Sequence, residues 1–347
     1  MMESLKQILY VVFAFGLVIL AHEFGHFIVA RRLKIFVEKF SFGFGPAILK
    51  IKRKTTYLLS LIPLGGYIKM KGENPFSERE MTEDEFFSKT PSERILVVLA
   101  GPVANFFLAF FIFFSVYWIF GVPHPQNLPI AGNIIKGTPA HKAGILPGDR
   151  IISINDEEIS TWQELVKRIQ PNAGKKLKIV IKRGDEIKTL FIAPQYNPEL
   201  KAGAIGIMIS YKKQRYPFAR SLYLSAAKCV GLTFLTLRYL SLAVRKKVKA
   251  EISGPIGIAT MIGKTANQGF SFFLNLLGLI SLNLFLINLF PIPLLDGGHI
   301  VIFLWEMVRK KFPSEKTYNI LQTIGLAILL MAIIFASRND LLKIFRF

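Results

Sequence analysis

Cysteine is nearly absent: Cys229 is the single one in 347 residues, which excludes an internal disulfide and a cysteine-rich zinc site. It reads as a small apolar packing residue. Acidic residues are scarce as well, 23 against 44 lysines and arginines, and only six of them are aspartates. The formal charge of +21 comes with no nucleic-acid-binding fingerprint, and the basic residues cluster beside apolar segments. Anionic lipid headgroups, not nucleic acid, are the partner this charge points to. No internal repeat or low-complexity segment stands out. What is abundant is apolar surface: 52% of residues are hydrophobic and 31 are phenylalanine, too rich for an ordinary soluble chain.

Four stretches near 7–30, 94–120, 271–290 and 318–336 approach the length needed to cross a bilayer, which takes about 20 helical residues. The first resembles a signal peptide, with Lys6 ahead of an apolar core, but no small-x-small cleavage site follows. It is expected to stay as a span. Lysine and arginine near the span ends set orientation. "RRLK" and "KIKRK" within 31–92, and "RKK" before the last span, place both connections in the cytoplasm and residues 122–270 outside.

The connection 31–92 holds "FVEKFSFGFGPAILKIKRKTTYLLSLIPLGGYIKM", rich in aromatic and β-favouring residues broken by Gly and Pro. β-Hairpins on or in the membrane are expected there. Between the second and third spans, short strands alternate with turn residues around one amphipathic helix near 161–170, the pattern of a separate small α/β domain. Beyond it, 212–250 mixes Lys and Arg with Phe, Tyr and Leu and suggests interfacial helices.

The chemistry-bearing motif lies inside the first span. His22-Glu23-Phe24-Gly25-His26 is an HExxH sequence, and residues four apart share one helix face, so both imidazoles reach one metal. Glu23 is placed to handle the proton of an activated water, not to ligate. Ionisable groups in a span are costly without a function. A catalytic zinc takes three protein ligands and keeps one position open. The best third ligand is Asp296 in "NLFPIPLLDGGH", residues 288–299, where Pro291 and Pro293 break an apolar span and Gly297 and Gly298 permit close backbone approach. His299 is an alternative ligand, or a group that orients the site. Asn288 flanks the broken segment and is a candidate to hydrogen-bond an extended substrate, whereas Asn283 reads as helix-to-helix glue. "GPVAN", Gly101 to Asn105, has two readings: close helix packing with a proline kink, or a wall of the active cavity with Asn105 reaching substrate. His124 and His141 have no partner at ligand spacing and read as surface residues.

These motifs, with "GTPAHKAGILPGDRIISIND" between them, resemble the RseP-type site-two proteases, bacterial intramembrane zinc metalloproteases, over nearly the whole chain. The resemblance implies that His22, His26 and Asp296 bind Zn2+, that Glu23 is the catalytic acid/base, that Asn288 contacts substrate, and that 36–72 is the membrane-associated β region; Asn105 and Gly66 are further candidates for substrate binding. It makes the inserted domain a PDZ domain; some members carry two in tandem, and this chain has room for one. The expected fold is a polytopic α-helical membrane protein with about four transmembrane helices. Its map is 1–35 first helix, 36–92 β-hairpin region, 93–121 second helix, 122–200 PDZ-like domain outside the cytoplasm, 201–268 amphipathic interfacial region, and 269–347 third and fourth helices. The implied setting is the bacterial inner membrane, with the active site toward the cytoplasm. The implied substrate is the transmembrane segment of a single-pass protein, such as an anti-sigma factor trimmed first by a site-one protease, or a remnant signal peptide. The rival reading is a non-catalytic membrane scaffold or chaperone with a structural metal site; a metal transporter is disfavoured because one compact His/Asp set is visible.

Overall fold

The computed structural model describes residues 2–77, 82–245 and 254–345, divided into two compact units: Met1–Trp118 with Pro217–Phe347, and Ile119–Tyr216. Helix α1 (Met2–Arg32) opens the first unit and ends on two arginines. Strands β1 (Val37–Lys52) and β2 (Thr56–Met70) follow. Each pairs twice: Phe40 faces both Ile68 and Tyr57, and Tyr57 faces both Phe40 and Ile51. Both strands therefore bend, at Gly43 to Pro46 and at Ile62 to Gly65, where Gly43, Gly45 and Gly65 have φ of 91°, 87° and 133°, values that favour glycine. The result is a small antiparallel sheet in the order 66–70, 37–42, 56–60, 47–52, with 66–70 on one edge. The sheet exposes Phe44, Ile48, Leu49 and Leu61, apolar surface suited to a bilayer. Helix α2 (Pro91–Ser115), extended by a π-helical turn at Val116–Phe120, starts from a capping box between Thr90 and Glu93 with proline at its first position.

The second unit is the expected small α/β domain. Its elements are β3 (Val122–Pro125), β4 (Ala131–Ile134), α3 (Pro139–Lys142), β5 (Arg150–Ile154), β6 (Glu157–Glu158), α4 (Trp162–Ile169), β7 (Leu177–Arg183), β8 (Glu186–Ile192), β9 (Gln195–Asn197), β10 (Ala202–Ala204), β11 (Ile207–Ile209) and β12 (Tyr211–Gln214). The main sheet runs β6-β5-β7-β8, while β4 pairs with β11 and β3 with β12, which brings both ends of the unit together. Asn155 and Asp156, both at positive φ, make the tight β5–β6 turn. Ile151, Ile179, Ile181, Leu165 and Ile205 are fully buried in one core, each worth about 1.5–3 kcal/mol on burial.

The chain then returns to the first unit with α5 (Phe218–Val244), α6 (Pro255–Gln268), α7 (Phe270–Asn288), α8 (Asp296–Arg309) and α9 (Glu315–Phe345). Helix α2 lies at the centre, packed on α1, α7 and α8. Arg94 ties α2 to α8: it is buried between the rings of Phe87 and Phe303 and meets Glu306 at 2.7 Å. Among the described residues, five helices are long and apolar enough to cross a bilayer: Leu5–Arg32, Pro91–Phe120, Phe218–Ala243, Phe270–Asn288 and Glu315–Asp340. Four of them match the expected spans. The fifth falls in the region expected to hold interfacial helices, where Arg220, Lys228 and Arg238 punctuate an apolar run that nonetheless forms one helix.

Candidate metal centre

His22 and His26 project from one face of α1 toward α2, and the helices approach each other because glycines stand at the crossing. A Cβ on Gly25 would lie 2.2 Å from the Ala100 carbonyl oxygen, and one on Gly101 would lie 2.2 Å from His26 Nε2 and 2.9 Å from His22 Cε1. No side chain fits between. The glycine that opens "GPVAN" therefore serves both close helix packing and the site: Gly101 is the floor on which both imidazoles rest.

Asp296 arrives from the other side as the first residue of α8, where the positive end of the helix dipole favours a carboxylate. After Asn288 ends α7, residues 289–295 leave helical conformation, and Leu294 takes a φ of 80°. The two glycines after Asp296 pack against this loop. A Cβ on Gly297 would meet the Phe290 carbonyl oxygen at 2.3 Å, and one on Gly298 the Ile292 carbonyl oxygen at 2.3 Å.

The donor atoms converge. His22 Nε2 lies 3.2 Å from His26 Nε2 and 3.2 Å from Asp296 Oδ2, and His26 Nε2 lies 3.6 Å from Asp296 Oδ1. Tetrahedral zinc with bonds of about 2.0–2.1 Å requires donors about 3.3 Å apart, so the three positions fit this ion closely. Asp296 Oδ2 is buried without a hydrogen-bond partner, an arrangement a cation would satisfy. Among the described residues, His22, His26 and Asp296 form the one cluster of three ligand-type side chains within reach of a single ion. His299 stands outside that cluster, its ring stacked 6.3 Å from Phe303.

A cavity of about 480 Å³ opens onto this cluster, lined by His22, Glu23, His26, Asn288, Asp296 and His299. Glu73, Tyr67, Phe87 and Tyr318 complete its wall, and no motif in the sequence marks them. Burial pushes the Glu73 carboxyl above its ordinary value, against the pull of the Met70 N–H, which donates to it at 2.7 Å. Glu23 is half-buried beside the ligands, with the backbone of Ile68 next to its carboxylate. The edge strand thus runs past the carboxylate. Gly66 sits on that strand against α1, where a Cβ would come within 2.8 Å of the Ser41 carbonyl oxygen and 3.4 Å of Glu23 Cγ. Asn288 lines the cavity with its amide nitrogen 3.4 Å from both ring nitrogens of His22. Asn105 does not line it: it is fully buried, with its amide nitrogen 3.3 Å from His22 Nδ1. His124 and His141 belong to the other unit.

Two histidines and an aspartate converging inside long apolar helices, with a carboxylate beside them but not among them, are the parts a membrane metalloprotease requires. The chain belongs to peptidase family M50, which it matches over residues 10–332. It is similar to a Clostridium acetobutylicum protein, 34% identical over 341 residues that cover 97% of this chain and 98% of the relative. It is also similar to the zinc metalloprotease RasP of Geobacillus kaustophilus, 26% identical across 99% and 100% of the two chains, and to the regulator of sigma E protease of Haemophilus influenzae, 28% identical across 96% and 98%. Among solved structures, the PDZ domain of an SdrC-like protein from Listeria monocytogenes covers 25% of this chain and 93% of its own, with 23% identity and a TM-score of 0.22. The chain is a zinc metalloprotease of the RseP type, a multi-pass bacterial membrane protein of the regulated intramembrane proteolysis class.

Proposed function

We propose that the protein cleaves peptide bonds within the transmembrane segments of single-pass membrane proteins, at the cytoplasmic side of the bilayer. The observation that carries this reading is the position of the ligand cluster: His26 lies five residues, or about 7 Å of helix, before the arginine pair that ends α1. Arginines at a span end mark the cytoplasmic face, so the site sits inside the membrane but near that face.

Zinc held by His22, His26 and Asp296 supplies the Lewis acidity that makes water nucleophilic near neutral pH and polarises a carbonyl. The protein does the rest. Glu23 takes the proton from the attacking water as the new C–O bond forms, then passes it to the amide nitrogen as the C–N bond breaks. A helical substrate hides its carbonyls in internal hydrogen bonds, so it must be extended first. Strand 66–70 is a sheet edge running past Glu23 and offers main-chain partners to an unwound segment. Asn288 stands across the cavity and is placed to hydrogen-bond that same segment.

Four crossings put the basic connection 31–92 and the link before the last span in the cytoplasm, as the positive-inside rule favours. Phe218 at the start of α5 packs on Phe114 and Trp118, at the end of α2 remote from Pro91. Helix α6 rests by Gly263 on Gln7, and its Gly257 N–H donates to Asp340 at 2.7 Å. All three anchors mark the outer ends of their helices. Residues 217–269 therefore begin and end on one face, and the inserted PDZ-like unit falls outside the cytoplasm. Its groove between α4 and residues 203–207, lined by Trp162, Leu165 and Ile207, suits an extended peptide end. The substrates proposed are a regulatory protein such as an anti-sigma factor, already trimmed by a site-one protease, and remnant signal peptides.

The test is cleavage of a single-pass model substrate by the full-length protein in liposomes, with products mapped by mass spectrometry. The expected cut lies inside the hydrophobic segment and disappears on zinc chelation. Cuts confined to soluble flanking residues would contradict the reading.

A further inference from the structure

We propose that Asn105 is a positioning residue for the metal, holding His22 in the one tautomer and orientation that presents Nε2 to zinc; this rests on the metal centre described above. A histidine that ligates through Nε2 in its neutral form carries its proton on Nδ1, and that proton needs an acceptor oxygen. For His26 the acceptor is plain: Nδ1 lies 2.8 Å from the Val97 carbonyl oxygen, one turn ahead of Gly101 on α2. His22 has no backbone carbonyl in that place. Its Nδ1 faces the Asn105 side chain at 3.3 Å, one turn beyond Gly101 on the same helix.

The state of that side chain supplies a second observation. Asn105 is wholly buried, and its Oδ1 has no hydrogen-bond partner. A half turn of the carboxamide exchanges oxygen and nitrogen at almost no steric cost. It sets Oδ1 opposite His22 Nδ1, where the imidazole N–H donates and the buried oxygen is satisfied. Asn288 is less suited to this task, because its amide nitrogen is 3.4 Å from both ring nitrogens and does not tell them apart. The backbone beneath Asn105 is fixed too: the Ser281 hydroxyl on α7 donates to the Asn105 carbonyl oxygen at 2.8 Å. Helix α2 thus supplies an acceptor for each histidine, a main-chain oxygen for one and a side-chain oxygen for the other.

Zinc affinity, measured by competition with a chelator on the full-length protein in detergent, reads this role without any proteolysis. Asn105→Leu, which keeps the volume and removes the acceptor, is expected to weaken zinc binding by about 10–100-fold. Asn105→Asp, which keeps an acceptor, is expected to stay within about threefold of the unmodified protein. Equal affinity for Asn105→Leu and the unmodified protein would overturn the proposal, as would equal losses in both variants. A readout that needs no variant is the nitrogen spectrum of 15N-histidine in the zinc-loaded protein: both motif rings should be protonated at Nδ1 and carry no proton at Nε2. A His22 ring protonated at Nε2 would overturn the proposal, whereas loss of zinc from the unmodified protein would overturn the metal centre itself.

Discussion

At the scale of single residues, the centre depends as much on what is missing as on its ligands. Gly101 carries no side chain, and two imidazoles occupy the space one would fill. Gly101→Ala should therefore displace His26, whose other nitrogen is tied to Val97, and weaken zinc binding about tenfold or more. Gly231→Ala is the matched control, since a Cβ there meets nothing within 4 Å. Equal zinc affinity in the two variants, by chelator competition, would show that the helix crossing has more room than these distances allow. The pairing of His22 with His26 is legible in the sequence, because a four-residue spacing is a local fact about one helix. The reason for Gly101 is not, and neither is the neighbour of Asn105. Both depend on where α2 crosses α1, which no spacing within "GPVAN" encodes.

At the scale of elements, the broken stretch after α7 shows how Asp296, the proposed third ligand, is delivered. Proline stops the helix, the loop folds over Gly297 and Gly298, and α8 restarts with Asp296 pointing at the histidines. The spacing of Pro and Gly along the chain is enough to mark this break. Its anchorage is hidden there: Arg94 and Glu306 lie 212 residues apart, and only packing brings them together to lock α8 onto α2. The β region is legible as strands, from its aromatic and β-branched content, but its order is not. Each strand bends at glycines and pairs on both sides, so the edge that passes Glu23 is the last segment in sequence, 66–70. Helix α5 is a third kind of case. Its three basic residues break the apolar run in the sequence, yet a helix tolerates them when, as with Lys228, the ammonium packs on the rings of Phe113 and Tyr117 and donates to Asn275 at 2.6 Å.

At the scale of the whole molecule, what matters is which side of the bilayer each part faces. The proposed arrangement of four crossings puts 31–92 in the cytoplasm and 122–270 outside. Single cysteines placed in a Cys229→Ala background report this in intact cells treated with an impermeant thiol reagent. Position 142 should label and position 53 should not, while position 238, on α5, should label if that helix lies on the outer surface. Labelling of 53 but not 142 would invert the orientation, and protection of 238 would make α5 a fifth crossing.

The central claim is that His22, His26 and Asp296 hold zinc while Glu23, beside them, moves the proton. One comparison tests it most directly: zinc content and cleavage of a membrane-span substrate, measured on the same preparations of the unmodified protein, Glu23→Gln and Asp296→Ala. The amide keeps the shape of Glu23 and cannot accept a proton, so Glu23→Gln should retain one zinc per chain and lose at least about 100-fold in rate. Asp296→Ala should lose both. Cleavage by Glu23→Gln near the unmodified rate, or full zinc occupancy in Asp296→Ala, would contradict the account.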